Sequence, residues 1–206
     1  MANPFSFIAL FDQFGDEWIP PELIELVAYM QHVGTPTRML DFTSEILTAV
    51  YFAAWGALQD GIVALQQGPE AWAIWKEKNM GIWELNRHGL DDAFKIVSPH
   101  NSGNQNAHMQ QGKLLYNVID GGVNYGYDDM LDNRPMDERV EQGIFIQYTL
   151  PVTECVNALE KISSLGTYSS KLFPEDKGRA VVQDVRDRRN ITKFKYLQKE
   201  MEEMEF

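Results

Sequence analysis

The stretch Gln31 to Ala53, QHVGTPTRMLDFTSEILTAVYFA, sets a dense polar cluster between two apolar segments. Gln31, His32, Thr35, Thr37, Arg38, Asp41, Thr43 and Ser44 all carry hydrogen-bonding side chains, with Gly34 and Pro36 interrupting the run. A polar group buried without a partner costs about 1–3 kcal/mol, so these side chains need one another or a ligand. Arg38 and Asp41 are natural partners by charge, and His32 is placed to bridge to a backbone carbonyl. Two readings stay open. Either the network pins a turn, or it lines a pocket where a strand end meets a helix N-terminus that attracts anions.

Working outward, Pro20-Pro21 and then Leu23, Ile24, Leu26, Val27 and Met30 predict an amphipathic helix from Glu22, ended by Gly34 and Pro36. Thr37 to Phe42 reads as a short strand. Ser44 is placed to cap a second helix whose buried side is Ile46, Leu47, Val50, Tyr51 and Ala54. Asp60-Gly61 reads as a turn into a strand over Ile62 to Leu65. Ala71 to Lys78 predicts a helix and Gly81 to Leu85 a strand. Residues 98–106 read as a polar loop, Leu114 to Ile119 as a strand, and 121–138 as a long surface loop rich in Gly, Asp and Asn. Gln142 to Leu150 alternates as a strand until Pro151, Thr153 is a candidate cap for a helix reaching Leu165, and Leu172-Phe173-Pro174 leads into a long C-terminal helix. Residues 1–19, apolar and aromatic without periodicity, read as a segment packing on the core. The implied class is α+β: a small mixed or antiparallel sheet flanked by helices, as one domain over 1–174 with a helical extension over 175–206.

Composition narrows the compartment and the partners. With 206 residues, 44% hydrophobic and 12% aromatic, the chain can bury one substantial core. No uninterrupted apolar run approaches the roughly 18 residues of a membrane span, the longest candidate being Ile46 to Leu58. The start, Met-Ala-Asn-Pro, lacks the basic and apolar segments of a secretory signal. Cys155 is the single cysteine, so no internal disulfide forms, and a cytoplasmic setting is expected. It reads as a core residue rather than a nucleophile. The net charge of −12 disfavours nonspecific nucleic-acid binding. Glu175 to Phe206 holds eight basic and eight acidic residues, so the rest of the chain carries the whole excess. His32, His88, His100 and His108 lack zinc-ligand spacing, and no metal site is expected. There is no phosphate-cradling Gly-Lys-Ser/Thr loop and no Gly-x-Ser-x-Gly elbow.

The cluster resembles the signature of the FRG domain family, a Gln-His-x-Gly-x-Pro-Thr-Arg-x-Leu-Asp-(Trp/Phe)-Thr run followed by an Ala-x-Tyr-Phe-Ala helix. Gln31 to Thr43 follows the first part, and Ala49-Val50-Tyr51-Phe52-Ala53 the second. Gly61-Ile62-Val63 resembles the strand that follows in the family, and Gln110-Gln111-Gly112 its Gln-x-Gly element. Two departures stand out. The family's Phe/Tyr-Arg-Gly motif is missing upstream, where the nearest string is Phe14-Gly15-Asp16, and Asn106 stands where an arginine usually precedes the Gln-x-Gly element. The resemblance therefore implies a truncated or degenerate member.

A looser analogy joins the family to ADP-ribosyltransferases. It implies an NAD pocket with Thr43 and Ser44 in hydroxyl positions and Gln110 opening a later element, although Gly112 falls where a glutamate is wanted. Losing a carboxylate beside the oxocarbenium-like ribose removes much of the rate. Two functions follow as expectations. One is a binding module of undetermined activity acting with a protein partner; the alternative is an NAD-binding, ADP-ribosyltransferase-like enzyme or toxin. The candidate ligand-binding residues are Gln31, His32, Arg38, Asp41, Thr43, Ser44 and Gln110.

Overall fold

A computed structural model describes residues 17–18, 23–32, 35, 37, 39–86, 94–98, 105–117, 119–120, 143–174 and 177–204. In chain order the elements are β1 (Glu17–Trp18), α1 (Ile24–His32), β2 (Leu40–Thr43), α2 (Ile46–Gln67), α3 (Pro69–Lys76), β3 (Asn79–Leu85), β4 (Phe94–Val97), α4 (Gln105–Met109), β5 (Gly112–Asn117) and β6 (Ile119–Asp120). They continue with β7 (Phe145–Pro151), a 3₁₀ turn (Val152–Glu154), α5 (Cys155–Ser164), α6 (Ser169–Leu172) and α7 (Lys177–Met204). The class is α+β, with small antiparallel sheets and a C-terminal helix. The strands form a pair β1–β6, a three-stranded sheet in the order β2–β5–β4, and a pair β3–β7. The chain divides into two compact units, residues 1–42, 85–100 and 112–146 in one, and 43–84, 101–111 and 147–206 in the other.

The first unit is built around β5. Phe94 to Val97 of β4 pairs antiparallel with Asn117 to Leu114 of β5. Successive side chains of a strand point to opposite faces. Leu114 and Tyr116 accordingly join Met39 and the α1 residues Leu23, Ile24, Val27 and Ala28 on one side. Leu115 joins Phe94, Ile144 and Phe145 on the other, with Phe42, Leu85 and Ile96 packed against them. The sheet is covered on both faces, which is why β5 reads as an unbroken apolar run rather than an alternating one. On α1, Leu26 and Met30, expected inside, are exposed.

In the second unit α2 is the central helix, and here the chain departs from its sequence pattern. Asp60-Gly61 is no turn, and Ile62 to Leu65 is no strand: α2 runs 22 residues, from Ile46 to Gln67. Buried positions recur at Tyr51, Ala54, Leu58, Gly61, Ile62 and Leu65, a helical spacing that continues across the glycine. Gly61 is needed for close approach, since a Cβ there falls 2.7 Å from Phe194 Cε2 and 2.7 Å from Trp75 Cζ2. Trp72 and Trp75 of α3 stack at 4.8 Å, and Phe194 of α7 meets them edge-on at 5.9 and 5.6 Å. Cys155, Val156, Leu159 and Ile162 of α5, with Leu172 and Met201, complete this core. The helix stops at Gly68, whose φ of +113° suits glycine alone, and Pro69 opens α3.

Because α2 does not end near Leu58, it is long and apolar enough to cross a membrane by length and composition. Its buried side packs in the core of the second unit. At its start the cap is Glu45 rather than Ser44, without a side-chain capping bond, and Ile46 is 71% exposed instead of buried. Thr153 likewise lies inside the 3₁₀ turn and caps nothing. Gln105 and Asn106, at the end of the loop expected over 98–106, open α4 instead, while β4 and α6 have no counterpart in the sequence pattern. The expected loop at 121–138 and the leading segment, apart from β1, lie outside the described residues.

Candidate functional site

The polar signature divides between the two units, with Gln31, His32 and Asp41 in the first and Thr43, Ser44 and Gln110 in the second. In the first unit, the Thr37 hydroxyl donates to Gln31 Oε1 in a short contact and accepts the Met39 backbone N–H at 3.2 Å. The Thr35 N–H closes on the Met30 carbonyl at 2.9 Å. This is local chemistry that holds the chain as it leaves α1 and enters β2. Asp41 is exposed on β2. Arg38 and the side chain of His32 lie outside the described residues, so the expected Arg38–Asp41 pair does too.

In the second unit the junction between β2 and α2 meets the end of α4. Thr43 Oγ1 donates to the Gln110 carbonyl at 2.6 Å and accepts the Glu45 N–H at 2.9 Å. Ser44 donates its N–H to the Gln111 carbonyl at 3.2 Å and its hydroxyl to Gln111 Oε1 at 2.9 Å. Gln111 Nε2 returns to Glu45 Oε1 at 3.3 Å, and Gln110 Nε2 reaches the Leu172 carbonyl at 3.0 Å. Gln111 adopts φ +49°, left-handed for a residue with a side chain. It occupies the position just past α4, where that turn of backbone ends a helix, and its side chain is held on both sides. Thr43 thus meets Gln110 directly, and Ser44 meets the neighbouring Gln111. Gln111 and Glu45, which complete the cluster, were not singled out in the sequence; the adjacency of Gln111 to Gln110 was the only available signal.

A second polar cluster lies deeper in the same unit. Tyr51, in the Ala-x-Tyr-Phe-Ala element, shares its hydroxyl with Ser169 at 2.5 Å and donates to Asp187 Oδ2 at 2.9 Å. Ser169 is fully buried and also donates to Asp187 in a short contact. Gln183 Nε2 donates to Asp187 Oδ1 at 2.9 Å, and Asp184 accepts the Ser170 N–H at 2.9 Å. Burial pushes the Asp187 carboxyl above its usual range, against the lowering effect of its three donors. Burial likewise raises the Tyr51 phenol well beyond its ordinary value. Both groups hold their protons more firmly than in water. Asp187 gives no sign of this role in the sequence, because it reads there as one charge in a charged helix.

The chain's likeness to known proteins falls on the same segment. Residues 10–60 match the family model described as FRG domain. Over that segment the chain is similar to the FRG domain. The match takes in the whole stretch from Gln31 to Ala53, including Thr43, Ser44 and Tyr51, and covers about a quarter of the chain. No curated protein and no solved structure matches the chain.

Cys155 is fully buried, and desolvation pushes its thiol up to about 11, so little nucleophilic thiolate forms at neutral pH. Among the described residues no group of three or more His, Cys, Asp or Glu could hold a metal ion.

Proposed function

We propose that this chain is a cytoplasmic FRG-domain binding module for a protein partner rather than a self-sufficient enzyme. The observation that carries this reading is the internal use of the signature's polar groups. The Thr43 hydroxyl both donates and accepts within the cluster, Ser44 is held by Gln111, and the Gln110 amide is held by the Leu172 carbonyl. A transferase aims such groups at a ribose; here each already has a protein partner, and replacing that partner costs about what the new bond returns. The surface of the second unit supports the same reading. Trp83 of β3 and Tyr148 and Leu150 of β7 are exposed large apolar side chains on a two-stranded sheet. Exposed aromatic groups beside a strand edge are the usual material of protein recognition.

A second reading, the NAD-binding ADP-ribosyltransferase-like enzyme, is favoured by one feature. Glu45 is an exposed carboxylate directly beside Thr43 and Ser44, hydrogen-bonded to Gln111 of the Gln-x-Gly element. It offers the charge that Gly112 withholds. Isothermal titration with NAD separates the two. Absence of heat and of thermal stabilisation at millimolar NAD is the expected result. Binding that is lost in Glu45→Gln, with the melting temperature kept, would reverse the choice.

A further inference from the structure

Helix α6 is a single turn, Ser169 to Leu172, held at both ends by side chains from elsewhere in the second unit. The turn is closed internally, with the Phe173 N–H on the Ser169 carbonyl at 2.9 Å and the Leu172 N–H on the Tyr168 carbonyl at 3.2 Å. At its first residue, the buried Ser169 hydroxyl donates to Asp187 of α7, and the Ser170 N–H goes to Asp184 at 2.9 Å. At its last residue, the Leu172 carbonyl accepts Gln110 Nε2 at 3.0 Å. The Gln110 carbonyl in turn accepts the Thr43 hydroxyl at 2.6 Å. Leu172 is 1% exposed, and Phe173 meets Phe52 of α2 edge-on at 6.1 Å. In such close packing a displacement at one end of the turn is passed on rather than absorbed. The bonded path from Asp187 to Thr43 therefore runs through one stiff piece of backbone.

Asp187 is the member of that path that can change state. As a carboxylate it only accepts: Oδ2 takes the hydroxyls of Ser169 and Tyr51, and Oδ1 takes Gln183 Nε2 at 2.9 Å. A proton turns one oxygen into a donor and removes the charge, and bonds to an ionised acceptor are roughly twice as strong as neutral ones. One of the three donors must then turn or retreat, and of these Ser169 is the one that carries α6 with it. Burial holds the Asp187 carboxyl above its usual range, which moves this change toward neutral pH. Among the described residues, the titratable groups beside it are Asp184 on α7, whose charge raises Asp187 further, and Tyr51 on α2, whose raised phenol stays protonated. Lys171 on α6 and Arg186 and Arg188 on α7 are exposed.

We propose that Asp187 is a proton-responsive positioning residue for the signature cluster: its protonation state is transmitted through α6 to Gln110, and from there to Thr43. The carboxylate anchors Ser169 and sets the Leu172 carbonyl against the Gln110 amide. The neutral acid loosens Ser169 and lets that amide turn away. This gives a use to polar side chains in a place where apolar ones would pack without the cost of burying a carboxyl. The coupling is a property of the chain by itself, so it stands or falls separately from the choice of partner above.

Nuclear magnetic resonance of the full chain tests it without a ligand. The Asp187 carboxyl carbon and the Gln110 side-chain amide are followed together from about pH 8 to about pH 4. The expected result is one shared midpoint, above the ordinary carboxyl value, although the two side chains sit at opposite ends of α6. In Asp187→Asn the amide shift at that midpoint should vanish. In Asp184→Asn it should persist with a lower midpoint, because a neighbouring negative charge is gone. His108 lies two residues before Gln110, and Glu45 bonds to Gln111, so both are nearer titratable groups. His108→Gln with Glu45→Gln should leave the shift in place. A Gln110 amide that stays flat while Asp187 titrates overturns the proposal, as does an Asp187 that does not titrate in this range. So does an amide shift that survives Asp187→Asn, or one removed by the His108 and Glu45 changes.

Discussion

Gly61→Ala is the sharpest test of how the second unit is packed. In an exposed helix, replacing glycine by alanine stabilises by about 1 kcal/mol, because alanine loses less backbone freedom on folding. At Gly61 the added methyl meets two aromatic carbons at 2.7 Å, where carbon atoms prefer about 3.5–4.0 Å. Neither ring has room to retreat: Trp75 and Phe194 are each 2% exposed, and Trp75 is stacked on Trp72 at 4.8 Å. Overpacking of this kind costs about 1–3 kcal/mol, and two locked rings place Gly61 at the upper end. After the helix gain of about 1 kcal/mol is offset, the net loss is about 2 kcal/mol. Gly56 supplies the control within the same helix, since a Cβ there meets nothing within 4 Å. Gly56→Ala should therefore stabilise by about 0.5–1 kcal/mol. Urea unfolding followed by tryptophan fluorescence and far-ultraviolet circular dichroism measures both. If Gly61→Ala stabilises as much as Gly56→Ala, the close crossing of α2, α3 and α7 is wrong.

Tyr51→Phe removes a hydroxyl bonded to Asp187 and Ser169, and should cost about 2 kcal/mol by chemical denaturation, the value of a hydrogen bond to a charged group. A loss of only a few tenths would mean that the buried cluster does not hold α2 to α6 and α7. The Asp187 carboxyl is raised in the folded state, so the native chain binds more protons than the unfolded one between the ordinary carboxyl value and the raised one. Its contribution is fully present below the unfolded value and is lost as pH rises through the folded value. Relative to Asp187→Asn, the wild type should thus gain stability as pH falls from 7 through that window. A difference that stays flat, or shrinks on acidification, would refute the assignment.

Much of the secondary structure was legible because it depends on neighbours in sequence. Proline placement and the apolar run Leu23, Ile24, Leu26, Val27 and Met30 mark α1, though Leu26 and Met30 face outward, and Gly81 to Leu85 reads as the strand it is. Thr43, Ser44 and Gln110 were recognisable as a group only through the family likeness, and the fold joins Thr43 to Gln110 and Ser44 to the neighbouring Gln111. Where the reading failed, the local signal was real but outweighed. Asp60-Gly61 has the composition of a turn, yet the apolar spacing on either side of it fits one helix, and Trp75 and Phe194 leave room only for glycine. Ser44 has the chemistry of a cap, but its hydroxyl is drawn to Gln111, 67 residues away.

By itself, then, the order of amino acids determined the α+β class, the FRG signature and the buried, unpaired state of Cys155, because periodicity, motif and cysteine count act over short range or none. Only the tertiary structure decided where α2 ends, that Asp187 bonds to Tyr51 and Ser169, and which side of α7 faces water. Those outcomes depend on side chains far apart along the chain competing for the same few cubic ångströms, and on which polar group is nearest once the core has closed.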